Sequence, residues 1–391
     1  MKRFVETSHS LLLIGFISIA YILIYNYFHG GFYAESPDGT LYLSVAQNFI
    51  DTGHFIQTAR PYEIEMIVPF GLPLIFSLIY GITRNVYGIL LVQYLLYGIC
   101  GGYIFKIGYS LSKNVIIGLI GWIVFLTNKL ILTEGNPHYL LTEAWTIPLI
   151  TLFIYYYLIE KRPVVCLLLG YFIWIIRPLY WPLFLLSIVK CITRANSHNI
   201  GKYIGIFGFM AGLLFINVAS NYRETKEFIC FENYTGIALY QANNPSTKTT
   251  GYYSEKAKEF VAPSDTFWDI YHSQISESEK NRLYIQMATE WIMSHKVEFL
   301  ENTFKKFNTM YLRKPLIFIV EFLYLIIAGF ATNNRSIILL WIAFFLIALQ
   351  TSIGLAMSRY TIFTIPFFVL SAMGILTTLY EFLQKKKAVR C

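Results

Sequence analysis

The sequence predicts an all-α polytopic membrane protein with about ten transmembrane helices. Of the 391 residues, 56% are hydrophobic and only 14% are charged, and the mean hydropathy is +0.52. Such a composition is too apolar for a soluble domain. Apolar runs of roughly 20 residues, the length that crosses a hydrocarbon core of about 30 Å, recur along nearly the whole chain. Helices are the expected elements because a bilayer offers the backbone no hydrogen-bond partners.

The apolar runs, combined with the positive-inside rule, predict ten crossings with both termini in the cytoplasm. The basic loops expected on the cytoplasmic side lie at 106–113, 161–162, 190–202, 335 and 385–390. The predicted crossings are 10–28, 86–105, 114–132, 138–159, 164–176, 179–190, 201–219, 315–332, 335–355 and 360–382.

Two segments do not fit a simple crossing. A full crossing at 66–83 would move the basic loop 106–113 to the outer side, so we expect an interfacial or re-entrant helix there, consistent with its two prolines. Arg177 would stand in the middle of one long span, where it would cost about 2.5 to 3.5 kcal/mol on insertion scales. A hairpin of two short helices with Arg177 at its outer turn avoids that cost.

These features divide the chain into three regions. Residues 1–219 form a transmembrane module that includes a first outer loop, 31–65, and the interfacial helix 66–83. Residues 220–314 are polar and are expected to form a small, mostly helical segment on the outer side. Residues 315–391 carry the last helices and a basic cytoplasmic tail.

Helix signals and charge complete this outline. Ser276 and Glu279 fit a capping box at the start of a helix in the polar segment. The net charge of +8 is explained by basic residues in short cytoplasmic loops, so no nucleic-acid partner is expected.

Ionisable residues close to apolar runs are the candidate functional residues, because burying them is expensive. Asp38 follows the first span, in Ser36-Pro37-Asp38-Gly39. Its simplest alternative role is to cap the helix that follows, since aspartate is a preferred N-cap. The alternative for the others is that they only mark the membrane interface. They include Glu65, His138, Glu143, Arg177 and Arg359.

Four motifs occur in a characteristic order. They are 37–42 (PDGTLY) after the first span, 69–73 (PFGLP), 136–143 (NPHYLLTE) and 358–360 (SRY), the last followed by Pro366. In this order the chain resembles the membrane-embedded glycosyltransferases of the GT-C class, which includes lipid A aminoarabinose transferases, protein O-mannosyltransferases and surface-polysaccharide transferases. Seven crossings before a long outer segment is also typical of that class. The first loop departs from its pattern by carrying one aspartate in place of an acidic pair.

The resemblance implies a GT-C-like bundle and an activity. A sugar would move from a polyprenyl-phosphate donor to a glycan, lipid or protein acceptor, with inversion, on the outer face of a bacterial cytoplasmic (inner) membrane. Asp38 would be the catalytic base. The residues implied for donor and phosphate binding are Arg177, Arg359, Tyr360, Glu143, Tyr42 and His138. Metal dependence stays open; Mg²⁺ or Mn²⁺ would have Glu65, Glu143 and His138 as weak candidate ligands, whose spacing is not diagnostic.

Two other classes remain as alternatives. An O-antigen polymerase or ligase would also be basic and polytopic, with arginines in its large outer loop, where this chain has only Arg223, Arg282 and Arg313. A lipid or solute transporter would also place charges among its helices. No internal repeat relates two halves of the sequence, which is the feature expected of many transporters.

Overall fold

The computed structural model describes residues 8–55, 67–194, 200–245, 253–254, 259–260, 265–312, 315–331, 335–354 and 358–388. Within these ranges the chain is almost entirely helical. The first ten helices are α1 (Ser8–Phe28), α2 (Pro37–Thr52), α3 (Gly71–Thr83), α4 (Val86–Ser112), α5 (Val115–Leu126), α6 (Lys129–Thr133), α7 (Thr142–Leu158), α8 (Pro163–Ile176), α9 (Trp181–Ile192) and α10 (Ile200–Thr225).

A connecting segment, residues 226–312, follows α10 and leads to the last three helices. Its elements are α11 (Thr235–Ala242), α12 (Asp265–His272), α13 (Glu277–Ser294), α14 (Lys296–Phe307) and a π-helical turn (Asn308–Leu312). The chain then forms α15 (Pro315–Ala331), α16 (Arg335–Ile353) and α17 (Thr364–Ala388). The described strands, β1 (Tyr253–Ser254) and β2 (Glu259–Phe260), form one short antiparallel pair in the connecting segment.

Five of the described helices, α1, α4, α10, α16 and α17, are long and apolar enough to cross a membrane. Helices α3, α5 and α8 and the run 178–192 are apolar but shorter. Large apolar side chains stand exposed on the long helices, for example Phe16 at 70% and Phe215 at 72%. A surface of this kind is suited to lipid and not to water. The all-α membrane class is therefore confirmed at this level, while the number of ten crossings stays a prediction.

Each predicted crossing coincides with a helix or a pair of helices, and one of them is broken. The run 114–132 divides into α5 and α6 at Thr127 and Asn128. The Asn128 side chain accepts a hydrogen bond from the backbone N–H of Leu130 and so caps the new helix. Asparagine at this position competes with the helix for the backbone, which explains why a continuous apolar run does not form a continuous helix.

The chain also breaks at Arg177, as predicted. Helix α8 ends at Ile176, Pro178–Tyr180 form a 3-10 turn, and α9 begins at Trp181 and packs back against α8. The residue before a proline is biased toward extended backbone, and Arg177 has φ −148° and ψ 103°. The hairpin places Arg177 at a helix end instead of at mid-span.

Helix α3 begins beside the end of α8 and is short. Its first residue, Gly71, packs against the backbone of Ile175 at the C-terminal end of α8. Its last turn is followed after two residues by α4, where Gln93 donates to the carbonyl of Pro137 just before α7. At 13 residues, α3 is about 20 Å long, which is shorter than a hydrocarbon core. The interfacial or re-entrant position of this helix stays a prediction.

A buried polar clamp fixes the loop that enters α7. The side-chain amides of Asn26 in α1 and Asn136 in the loop exchange hydrogen bonds of 2.9 and 2.6 Å. Gln93 in α4 donates to the carbonyls of Pro137 and Tyr139 and accepts from the indole N–H of Trp145. Because these amides are fully buried, losing a partner would leave a desolvated polar group. The clamp therefore holds the first turn of α7 in one position.

We expect Gly71→Ala to lower the melting temperature, because a Cβ there would lie 2.5 Å from the backbone carbonyl carbon of Ile175. Overpacking of this kind costs about 1 to 3 kcal/mol. Gly205→Ala is the matched control, since nothing lies within 4 Å of a Cβ added in that part of α10, and alanine favours a helix over glycine by up to about 1 kcal/mol. Thermal unfolding in detergent compares the two variants. Equal melting temperatures would contradict the close contact between α3 and α8.

Candidate functional site

One cavity of about 670 Å³ lies where several helix ends meet. Its walls come from α2, the first turn of α7, the turn between α8 and α9, α11, the end of α16 and the 3-10 turn at 358–361. The polar lining residues are Asp38, Tyr42, Thr142, Glu143, Arg177, Glu232, Tyr234, Thr235, Gln350, Thr351 and Tyr360. Five residues that the sequence singles out, separated by up to 322 positions (360 − 38), thus share one space.

Asp38 lies in the first turn of α2 and lines the cavity. The alternative role as helix N-cap is wrong. Ser36 is the N-cap, and its hydroxyl accepts a 3.1 Å hydrogen bond from the backbone N–H of Gly39. Pro37 takes the first helical position, which suits its fixed φ and missing N–H, and Asp38 takes the second, two residues past the cap. A carboxylate in the first turn still gains from the helix dipole.

The far end of α2 is closed by glycine. Gly53 has a φ of 78°, in the left-handed region, and its N–H donates to the carbonyl of Phe49. Only glycine enters this region without strain, so it ends the helix cleanly. Ser36 and Gly53 set the two ends of α2. Asp38 and Tyr42 lie about one turn apart on this helix, and both line the cavity.

Arg177 and Glu143 form an ion pair at the meeting point of α8 and α7. The guanidinium Nη1 donates to Oε1 of Glu143 and, at 3.2 Å, to the hydroxyl of Thr142. That hydroxyl donates in turn to Oε2 of Glu143 at 2.9 Å. The Glu143 side chain is 2% exposed and that of Arg177 is 15% exposed. A nearly buried carboxylate therefore orients a partly accessible arginine.

The arginine keeps donors for a ligand. A guanidinium has five N–H groups, and both hydrogen bonds to described residues leave from Nη1. The three N–H groups on Nε and Nη2 are not used by these contacts. The ring of Tyr360 lies 4.7 Å from the Arg177 carbon Cζ, a cation–π contact that holds the plane of the guanidinium.

Glu232 and Tyr234 line the cavity from the connecting segment and were not predicted. Oε1 of Glu232 accepts a 2.7 Å hydrogen bond from the hydroxyl of Thr235. Two causes raise the pKa of Tyr234 well above its usual value: mainly burial, and secondly the nearby negative charge of Glu232. This phenol therefore stays protonated. The sequence around these residues lacks a helical or strand period, so no pattern marks them as neighbours of Asp38.

His138 does not line the cavity. It is buried in the loop before α7, where Nδ1 lies 3.3 Å from the carbonyl oxygen of Gly31 and the ring packs edge-on against Tyr139. The interpretation of His138 as a phosphate ligand gains no support from this position.

Two predicted residues lie partly or wholly outside the described structure. Glu65 belongs to 56–66, outside the described residues, and Arg359 has a described backbone in the 3-10 turn but no described side chain. Among the described residues, no three His, Cys, Asp or Glu side chains come close enough together to hold a metal ion. The described candidate ligands are also unsuited, since Glu143 is paired with Arg177 and His138 lies apart.

The remaining cavity wall is aromatic and apolar. Trp174 packs against Phe231 with ring centroids 4.8 Å apart, and both line the cavity. Trp181 also lines it, donates to the side-chain oxygen of Gln350 at 2.9 Å and is 39% exposed. The cavity therefore reaches the surface of the bundle beside Trp181. It combines a polar end with an apolar end, which fits an amphipathic ligand.

Comparison of the chain with protein-family models, with curated proteins and with solved structures finds no match in any of the three.

Removing either charge of the Arg177–Glu143 pair is expected to destabilise the fold, because the remaining buried charge loses its partner. We expect Glu143→Leu or Arg177→Met to lower the free energy of unfolding by about 3 to 5 kcal/mol. Glu143→Leu combined with Arg177→Met is expected to cost less than either single change. The control is Glu279→Gln, in an exposed pair with Arg282, which should change stability by less than about 1 kcal/mol. Additive losses in the double variant, measured by denaturant unfolding, would contradict the coupling.

Lys306 binds the end of α11, one of the helices that line the cavity. Its side chain is fully buried, and Nζ donates a 2.6 Å hydrogen bond to the carbonyl of Ala242, the last residue of α11. A cation at a helix C-terminus is favoured by the dipole and satisfies a free carbonyl. Helix α11 contributes Thr235, Ala238 and Leu239 to the cavity. Lys306 thus fixes α11 in place, and burial lowers its pKa from 10.5 to about 8.

This buried lysine predicts a pH-dependent stability. Between pH 8 and 10.5 the unfolded chain keeps a proton on Lys306 that the folded chain has lost, so the free energy of unfolding should rise with pH across this window. The full rise is on the order of 3 kcal/mol. In Lys306→Met the rise should be absent, whereas Lys305→Met, at the exposed neighbouring position, should keep it. Denaturant unfolding at a series of pH values measures the slope, and an unchanged slope in Lys306→Met would rule out this lysine as its source.

Proposed function

We propose that the protein is a membrane glycosyltransferase that moves a sugar from a polyprenyl-phosphate donor to a cell-envelope acceptor, on the outer face of the cytoplasmic membrane and with inversion. The proposal extends the motif resemblance to the GT-C class. The observation that carries it is the shared cavity of Asp38, Tyr42, Glu143, Arg177 and Tyr360, which joins polar groups to an aromatic and apolar wall.

The shape and chemistry of the cavity suit the proposed donor. A polyprenyl-phosphate sugar has a polar head and a long apolar chain. The polar end of the cavity offers carboxylates, hydroxyls and a guanidinium for the head, whereas Trp174, Phe231 and Trp181 offer apolar surface. The cavity reaches the surface beside the exposed Trp181. The polyprenyl chain of the donor could extend from there into the lipid, so the cavity would not have to enclose the whole donor.

The proposed reaction is a single displacement. Asp38 takes the proton of an acceptor hydroxyl as its oxygen forms a bond to the anomeric carbon. The bond from that carbon to the phosphate oxygen breaks, and its electron pair leaves with the phosphate. The N–H groups on Nε and Nη2 of Arg177 donate to the departing phosphate as its charge develops. No covalent intermediate with the protein is needed.

Charge balance gives Arg359 a role in this proposal. The described lining residues include three carboxylates, Asp38, Glu143 and Glu232, and a single cation, Arg177. Because Glu143 already balances Arg177, a phosphate would need a further positive group nearby. Arg359 is the residue before the lining residue Tyr360, so we propose it as that second cation. No step is assigned to a metal ion, because the described candidate ligands do not gather.

Asp38→Asn is expected to lower the rate of sugar transfer by about 100-fold or more, the usual contribution of a general base. Asparagine keeps the shape of the side chain but cannot take up the proton. Asp51→Asn is the matched control, because Asp51 lies on the same helix, is exposed and does not line the cavity. Transfer of radiolabelled sugar from polyprenyl-phosphate donors in isolated membranes measures both variants.

The outcomes separate the two parts of the proposal. A wild-type rate in Asp38→Asn, with normal expression, would remove the base assignment while leaving the activity in place. No transfer by the wild-type protein from any donor in a panel of neutral, acidic and amino sugars would contradict the glycosyltransferase function itself.

A further inference from the structure

Helix α14 buries polar side chains and exposes an apolar stripe, which an ordinary surface helix does not do. Its buried side chains are Asn302, Thr303 and Lys306. Three of its five apolar residues, Val297, Leu300 and Phe304, are spaced three and four residues apart on one face and are 73%, 63% and 64% exposed, whereas Phe299 and Phe307 are partly buried. In water this arrangement would leave apolar surface hydrated while burying polar groups, both of which are unfavourable.

Helix α13, which directly precedes α14, shows the ordinary arrangement. It buries Tyr284, Ala288 and Trp291 together with Lys280, which is paired with Glu277, and turns Arg282 and Gln286 outward. The two helices belong to the same connecting segment, so the composition of the segment does not explain the difference between them. The exposed face of α14 must meet a different environment from that of α13.

The position of α14 identifies that environment. The helix packs against α16, which is one of the described helices long and apolar enough to cross a membrane. Beyond α14 the π-helical turn places Tyr311 in a 2.5 Å hydrogen bond with Thr351, in the last turn of α16. The chain then enters α15, a 17-residue apolar helix. Helix α14 therefore packs beside one apolar helix, α16, and leads into another, α15.

We propose that α14 is an interfacial helix whose face of Val297, Leu300 and Phe304 is inserted into the lipid bilayer beside the bundle. The exposed Lys296 and Lys305 can then reach the lipid headgroups by extending from the interface. Such a face inserts about 5 to 10 Å into the boundary between headgroups and acyl chains. The proposal does not depend on the glycosyltransferase function.

The insertion would connect the membrane to the cavity. The opposite face of α14 carries Lys306, which holds the carbonyl of Ala242 at the end of the cavity helix α11. A second contact holds the same region, because Asn243 donates to the carbonyl of Ile353 at the end of α16. Helix α14 then lies between the lipid and α11, so the bilayer supports the wall that the connecting segment supplies to the cavity.

A lipid-quenching experiment tests this placement in the full-length protein. Single cysteines replace Leu300 or Glu298 in a Cys230→Ser, Cys391→Ser background, which keeps the buried Cys100, Cys166 and Cys191, and are labelled with bimane. Glu298 is the matched control, because it is exposed on another face of the same helix. The proteins are reconstituted in vesicles of phosphatidylcholine and phosphatidylglycerol, with and without a lipid that carries a nitroxide near the top of its acyl chain.

The expected result is quenching by the nitroxide lipid that is several times stronger for the label at position 300 than at 298, with the reverse order for aqueous iodide. A third label at Gln286 on α13 should behave like that at 298. Equal quenching by iodide at 300 and 298, without lipid quenching at 300, would overturn the proposal. So would protection of position 300 from both quenchers, because that pattern indicates a protein partner on this face. Size-exclusion profiles matching the wild type exclude misfolded samples.

Discussion

The ion pair between Arg177 and Glu143 is the contact on which the architecture of the cavity depends. A lone arginine in this run of apolar residues would be costly, and a buried carboxylate alone would be equally so. Each charge is tolerated because the other is there. The pair requires the end of α8 to meet the start of α7, with Thr142 between the two charges. Tyr360 then packs on the guanidinium and brings the start of α17 to the same point.

Much of this site could be predicted from the sequence, because charges are expensive near apolar runs. That expense forces Asp38, Glu143 and Arg177 to the ends of helices, and the alternation of the helices brings those ends to one side of the bundle. The hairpin at Arg177 follows from the same argument. The position of Tyr360 in the cavity follows as well, since it begins the last helical region beside Arg359.

Other parts could not be predicted, for physical reasons. Hydrophobic runs give the length of a helix but not its lateral neighbours. The sequence therefore does not show which of several acidic residues pairs with Arg177. The cap of α2 was decided by a single proline, which favours the first helical position and left Ser36 as N-cap. Glu232 reached the cavity through tertiary packing of a segment without a regular period. The exposed apolar stripe of α14 is invisible in sequence, because an amphipathic pattern does not say which face is buried.

The ion pair with Glu143 would also change how Arg177 interacts with a charged leaving group such as a phosphate. A free arginine would bind a phosphate strongly before and after reaction, which lowers the Michaelis constant without raising the turnover rate. An arginine already balanced by Glu143 adds little net attraction for the ground state. Its remaining N–H groups would still form hydrogen bonds that strengthen as negative charge develops on the departing oxygen. Neutralisation by Glu143 would therefore shift the contribution of Arg177 from binding the donor toward stabilising the transition state.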